Sequence, residues 1–413
     1  DLRFTQTEML ETQSTSSLAS ESTAARSSVS SFFRQWLSGV WYSIPIISSP
    51  RACLPRLSTF FSRLTLSEVS GSLGDLGTFI PLTVALARID AISLAPALFF
   101  SGLSNFLAGV AWDVPMPVQP MKSIAAVALA QNMNKAEVSA SGVLVGGMMI
   151  VLAVTNAIEV VNAVVPKEVV SGLQLGLGIK LGALGVSYIT SLSFASSLDC
   201  ILLGILSACL ALLLLKNEQS PAASRKWYLP PAAVTLFVLG VVLAGVTLAS
   251  DPSDPDYDLP LRFFGPPVAY WAVAGTSPSE WRVGLFDLAL PQLPLTTLNS
   301  VVSVCALAHS LYPDRRSPRK ASALTRNCAE DAVISRRSAA MSVGLMNSVF
   351  CLLGGMPNCH GAGGLAGQHK FGARTGASIM FLGLAKMGVG VFFGGSALTL
   401  LEAMPQAVLG GLL

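Results

Sequence analysis

Apolar stretches of about 20 residues recur from near Leu66 to the end of the chain, which is the length a helix needs to cross about 30 Å of hydrocarbon. No other feature restricts the fold as severely, because such stretches must be buried against one another or in lipid. They fall near residues 68–88, 91–111, 115–131, 138–164, 167–190, 197–215 and 229–250. Beyond a polar, Pro-rich interval from Asp251 to Trp281 they resume near 283–311, 339–355, 357–368, 376–395 and 397–413. A membrane barrel would instead alternate over segments of about 10 residues. The expected class is an all-α polytopic membrane protein. Its 52% hydrophobic and 12% charged residues agree, since soluble domains carry about 25% charged residues.

The net charge of +3 comes with no basic stripe interleaved with aromatics, which leaves out nucleic acid as a partner. Of the seven cysteines, Cys200, Cys209, Cys305 and Cys351 lie within apolar segments and none forms a metal-type Cys-x-x-Cys pair. No disulfide framework, metal site or cofactor is therefore expected. Residues 1–65 are rich in Ser with scattered Arg, in the manner of a transit peptide, although Glu8, Glu11 and Glu21 are out of keeping with one. They read as a disordered or targeting tail. The chain opens on Asp1 and stops inside an apolar run, so both ends read as cut.

Lys and Arg favour short cytoplasmic loops. An inside N-terminus puts Lys216, Arg225 and Lys226 inside, together with Lys370, Arg374 and the loop carrying Arg315, Arg316, Arg319, Lys320, Arg326, Arg336 and Arg337. The acidic interval Asp251, Asp254, Asp256 and Asp258 falls outside. The chain then divides into a first repeat over 66–250, an extracytoplasmic linker over 251–282 and a second repeat over 283–413.

The repeats echo each other in order. Asp75-Leu76 leads to Pro81-Leu82-Thr83 as Asp287-Leu288 leads to Pro294-Leu295-Thr296; Met116-Pro117 has its counterpart in Met356-Pro357; and the run from Pro166 to Leu173 matches that from Pro405 to Leu412. Seven crossings in the first copy, an odd number, make the second copy enter from the opposite side.

Two segments are broken at corresponding places. Pro115, Pro117 and Pro120 forbid regular helix until about Pro120, which is placed to occupy the first turn of a half-helix. Pro357 followed by Gly361, Gly363 and Gly364 does the same in the second copy. Irregular backbone at membrane depth is tolerated only where protein or a water-filled cavity satisfies it, and facing half-helix N-termini suit an oxyanion. Lys122 is positioned to supply a full charge, and Gln119, Ser123, Asn358 and His360 to donate hydrogen bonds, with Cys359 and Gly361 beside them. The alternatives are a Lys122 that snorkels or pairs with Asp113, and a His360 that only packs. Gln292, Thr296, Thr297 and Asn299 form a polar stripe that faces either the cavity or a neighbouring helix. Asp75 and Asp287, in apolar surroundings, are candidates to bind a coupling proton, to cap helices, or to pair with a lysine such as Lys180 or Lys386.

At these residues the sequence resembles the eukaryotic molybdate transporter family, a relative of the sulfate permeases without their C-terminal regulatory domain. The stretches that carry the resemblance are Gly74-Asp75-Leu76-Gly77-Thr78-Phe79-Ile80-Pro81, the run from Pro115 to Lys122, the run from Pro357 to Ala366, and Phe371-Gly372-Ala373-Arg374-Thr375-Gly376. It extends over residues 66–413 and implies active or coupled uptake of molybdate, selective over sulfate. The implied fold is of the uracil-permease type, with seven plus seven segments in inverted repeats and the substrate between the third and tenth. The last crossings of that plan lie beyond Leu413. The same fold admits a sulfate or general oxyanion permease. A nucleobase carrier fits less well, because the second break offers Asn358 and His360 where such relatives present carboxylates. An embedded enzyme using Cys359 and His360 as nucleophile and base is disfavoured, since adjacent side chains rarely face each other; a channel fits inverted repeats less well than a carrier. A coupling proton and a homodimer remain open, as does the choice between plasma and internal membranes.

Overall fold

The computed structural model describes residues 44, 50–164, 167–195, 199–218, 232–250, 271–315, 333–394 and 397–412. The Ser-rich stretch before residue 44, the acidic interval 251–258, and Arg225, Lys226, Arg316, Arg319, Lys320 and Arg326 lie outside them, as do the side chains of Lys180 and Lys216. After two short helices, Pro50–Ser58 and Phe60–Arg63, the first half runs α1 (Leu66–Leu73), α2 (Leu76–Arg88), α3 (Leu94–Trp112), β1 (Val118–Pro120), α4 (Lys122–Gln131), α5 (Lys135–Val154), α6 (Ala157–Val164), α7 (Lys167–Thr190), α8 (Ile201–Glu218) and α9 (Ala232–Ser250). The second half runs α10 (Pro278–Leu311), α11 (Arg336–Phe350), β2 (Asn358–His360), α12 (Ala362–Lys370), α13 (Gly376–Phe392), α14 (Ala397–Glu402) and α15 (Gln406–Leu412).

Several boundaries follow from local chemistry. Asn134 and Ser277 cap α5 and α10 by accepting from the N–H three residues on, while Glu137 and Glu280 reach back to the cap N–H. Among the described residues, α3, α5 and α10 are long and apolar enough to cross a membrane alone, and α1 with α2 makes a span bent by 44°. The apolar run over 138–164 is two helices rather than one, because Asn156 adopts φ 60° and breaks the ladder between α5 and α6. The run over 397–413 is likewise divided, with Pro405 between α14 and α15. Pro291 and Pro294 withhold backbone donors inside α10, which winds as π-helix over Gly284–Ala289 and Thr296–Ser303 on either side of them.

Packing follows the internal symmetry. Helix α3 lies along α13, and α5 lies along α11, so exchanging the two halves maps one contact onto the other. Small residues let these backbones meet: a Cβ on Gly376 would stand 2.4 Å from the Gly109 carbonyl oxygen. Helices α7, α8, α9 and α15 pack on one another as a second group. It meets the first where α7 touches α10 and α12, and where α14 and α15 lie against α2. The ion pair Arg88–Glu402, 2.5 Å, joins α2 to α14.

Candidate functional site

The prolines of the two broken segments leave backbone that cannot be helical, and the structure pairs one break with the other. Strand β1 runs antiparallel to β2 with Val118 opposite His360, Gln119 opposite Cys359 and Pro120 opposite Asn358. The Met121 N–H extends the ladder by donating to the Pro357 carbonyl, 3.0 Å. Pro120 therefore ends a strand instead of entering a helix, and α4 begins two residues later, at Lys122. The symmetry centre of the fold is the Gln119–Cys359 pair.

Each strand has an outer edge whose polar groups need partners at membrane depth. The Asn105 side chain on α3 accepts from the Val118 N–H at 2.7 Å. In the second half Asn347 on α11 accepts from the Asn358 N–H and donates to the Asn358 carbonyl, both at 2.7 Å. The two asparagines hold equivalent positions in the repeats and clamp the strand that follows each. Sequence reasoning did not single them out, although a lone Asn in an apolar run is the signal that finds them.

Successive strand side chains point to opposite faces, and this decides which candidates meet. Gln119 and Cys359 share one face; Val118, Pro120, Asn358 and His360 share the other. On the second face His360 is fully buried, with Nε2 3.1 Å from the Ser342 hydroxyl, Nδ1 3.4 Å from the Pro117 carbonyl and its ring edge-on to Trp112. Its two nitrogens are thus engaged by protein groups. The Asn358 side chain donates to the Met356 carbonyl, 2.9 Å. Both residues brace the crossing.

The first face holds the polar cluster. Gln119 Nε2 donates to Asp75 Oδ1, and the Thr78 hydroxyl donates to the same oxygen at 3.0 Å. Asp75 is buried, and its Oδ2 has no hydrogen-bond partner. Lys122, half-buried in the first turn of α4, interacts electrostatically with both Asp75 and Cys359. Ser123 beside it is half-buried, and the buried Ser300 hydroxyl on α10, which has no hydrogen-bond partner among the described residues, lies near Cys359. Gly361 and Gly364 are necessary here: a Cβ on Gly361 would lie 2.5 Å from Gln119 Oε1, and one on Gly364 would lie 2.3 Å from Gln119 Nε2 and 2.8 Å from Asp75 Oδ1. The opening N–H groups of α4 and α12, which no intrahelical acceptor reaches, are brought together by this crossing.

The polar stripe of α10 is buried at Gln292, Thr296, Thr297 and Ser300, and β2 packs against this helix. Gln292 donates to the Thr296 hydroxyl at 2.9 Å. The π-helical winding from Thr296 onward carries Ser300 to the Cys359 thiol. Asp287 departs from the expected equivalence with Asp75: it is exposed on α10, and the extra residue per turn in its π stretch turns it away from the strands. Lys122 also does not pair with Asp113. That carboxylate binds Arg63 at 2.7 and 2.8 Å and accepts from the Gly376 N–H at 2.9 Å. Arg315 donates to the Asp113 carbonyl, so basic residues from separate segments gather there. Of the two lysines expected as partners, Lys386 is the one with a described side chain: its ammonium donates to the Val118 carbonyl at 3.3 Å and its charge acts on Asp75.

Residues 67–181 and 284–413 match the family model described as a molybdate transporter of the MFS superfamily. Molybdate transporter 1 of Arabidopsis thaliana is 37% identical over 381 residues, which is 85% of this chain and 78% of that protein. Molybdate transporter 2 of the same plant is 35% identical over 84% of this chain and 76% of its own length. Molybdate transporter 1 of Chlamydomonas reinhardtii is 33% identical over 86% of this chain and 82% of its own length. Among solved structures, the transmembrane domain of a cyanobacterium bicarbonate transporter, BicA, superposes with a TM-score of 0.50 at 19% identity, covering 84% of this chain and 86% of that one. The murine Solute Carrier 26 family member A9 anion transporter in the inward-facing state gives 0.51 at 13% identity, over 87% of this chain and 61% of that one. The predominantly helical polytopic fold is the one these membrane transporters share.

Proposed function

Because this chain belongs to the molybdate transporter family and is an integral membrane transporter rather than an enzyme, we propose that it carries molybdate by alternating access, with the oxyanion held on the Gln119–Cys359 face of the strand crossing. The observation that carries this reading is the register of β1 and β2, which brings the open ends of α4 and α12 together beside Lys122. Unpaired N–H groups and the positive dipole ends of two half-helices favour an anion, and Lys122 adds a full positive charge.

In this reading Gln119, Lys122, Ser123, Cys359 and Gly361 contact the substrate, and Gln292 and Thr296 line the wall that α10 contributes. Asn358 and His360 brace the strands from behind. Asp75 takes the coupling proton on its unpartnered Oδ2, and the α7–α9 and α15 group moves against the site-bearing group to expose it to each side in turn. The test is molybdate accumulation in cells that lack their own uptake system and express the full-length protein, with excess sulfate as competitor. Accumulation that sulfate barely suppresses is expected. Equal competition by sulfate would make the protein a general oxyanion permease on the same fold. No accumulation from protein shown to reach the membrane would overturn the substrate.

A further inference from the structure

Lys386 lies in the middle of α13, is 5% exposed, and belongs to no element of the strand crossing. Its ammonium stands 3.5 Å from the centroid of the Phe79 ring and 3.3 Å from the Val118 carbonyl oxygen. Phe79 is one helical turn beyond Asp75, and Val118 is the neighbour of Gln119, which binds Asp75. Lys386 thus touches both flanks of the carboxylate. One long hydrogen bond and one aromatic face are poor exchange for the hydration of a buried ammonium, so an anionic partner is needed, and Asp75 is the carboxylate whose charge acts on it.

The charged and titrating groups that bear on Asp75 are Lys386 from α13, Lys122 from α4 and the Cys359 thiol from β2. On its own helix, Arg88 sits at the far end, paired with Glu402. Helix α12 presents Gly364 to it and keeps His369 and Lys370 in its last turn.

We propose that Lys386 is a positioning residue that makes anion binding proton-dependent: ionised Asp75 neutralises Lys386, and protonated Asp75 leaves Lys386 and Lys122 as two positive charges for a dianion. With Asp75 ionised the trio carries a net charge of one, too little for a dianion and with a carboxylate at the mouth of α12. When a proton from the aqueous side adds to Oδ2, the trio carries two. The inference rests on the reading of Asp75 as the proton site and adds the residue that sets when that site fills.

The experiment measures KM for molybdate against pH for the full-length protein in proteoliposomes. The wild type is expected to bind more tightly as pH falls, and Asp75→Asn to flatten that profile. Removing a positive neighbour raises the proton affinity of a carboxylate, so Lys386→Met and Lys386→Gln should move the midpoint toward alkaline pH by about one unit or more. They should also raise KM about tenfold at the acid end, where the dianion has lost a counter-charge. Lys386→Arg should keep the midpoint, and Gln, which can still donate to Val118, separates charge from the hydrogen bond. Midpoints unmoved in Lys386→Met and Lys386→Gln while Asp75→Asn flattens the profile would overturn the role of Lys386 alone. A profile that Asp75→Asn leaves intact would overturn the proton site itself. If Lys386→Met fails to assemble, the Asp75→Asn/Lys386→Met double variant must recover a monodisperse protein, because both members of the opposite-charge pair are gone and the trio keeps its original net charge of one on Lys122; failure to recover also overturns the proposal.

Discussion

Gly364→Ala places one methyl group where the crossing has no room. The added carbon would lie 2.3 Å from Gln119 Nε2, 2.6 Å from Pro117 Cγ and 2.8 Å from Asp75 Oδ1, whereas ordinary contact starts at 3.4 Å. Relief requires Gln119 to retreat by about 1 Å, which breaks its bond to Asp75, or α12 to move away from β1. Overpacking of this kind costs about 1–3 kcal/mol. At about 1.4 kcal/mol per tenfold, that is a loss of about 5-fold to 150-fold in affinity if the strain falls on the bound state. Gly147→Ala on α5 is the control, since its Cβ meets nothing within 4 Å. The assay is the KM for labelled molybdate in proteoliposomes, with the melting temperature of the purified protein followed in parallel. A Gly364→Ala protein with wild-type KM and wild-type melting would refute the claim that this glycine makes room for the Gln119–Asp75 pair.

Lys122→Ala should raise KM by about tenfold or more while the protein still reaches the membrane, because a half-buried charge partner of the substrate is lost; unchanged uptake at limiting molybdate would remove Lys122 from the site. Asn347→Ala leaves the Asn358 N–H buried without its acceptor, at a cost of about 1–3 kcal/mol, read as a lower melting temperature; an unaltered melt would mean the strand edge is satisfied another way. His360→Ala should lower stability with little change in KM, since both ring nitrogens are held by protein groups; a large rise in KM at wild-type stability would return His360 to the substrate's contacts.

What the sequence determined alone was whatever depends on distance along the chain. Run length decided that the elements are helices in lipid, Pro115 to Pro120 and Pro357 to Gly364 decided where two of them break, and the matched order of motifs decided that the halves repeat. The asparagines that clamp the strands were legible in principle as isolated amides in apolar runs. Only the tertiary structure decided which candidates act together. A strand sends alternate side chains to opposite faces, so Gln119 hydrogen-bonds Asp75 and Cys359 shares that face, while Asn358 and His360, on either side of Cys359, lie on the other. Asp75 and Asp287 read as equivalents, yet the proline-flanked π-helical winding of α10 leaves Asp287 exposed. Lys386 was one of two lysines the sequence offered as partners for the buried carboxylates, and only the docking of α13 brings its charge to bear on Asp75. The physical reason is common to these cases: facing and pairing are set by register and by the docking of distant backbones, which local spacing does not encode.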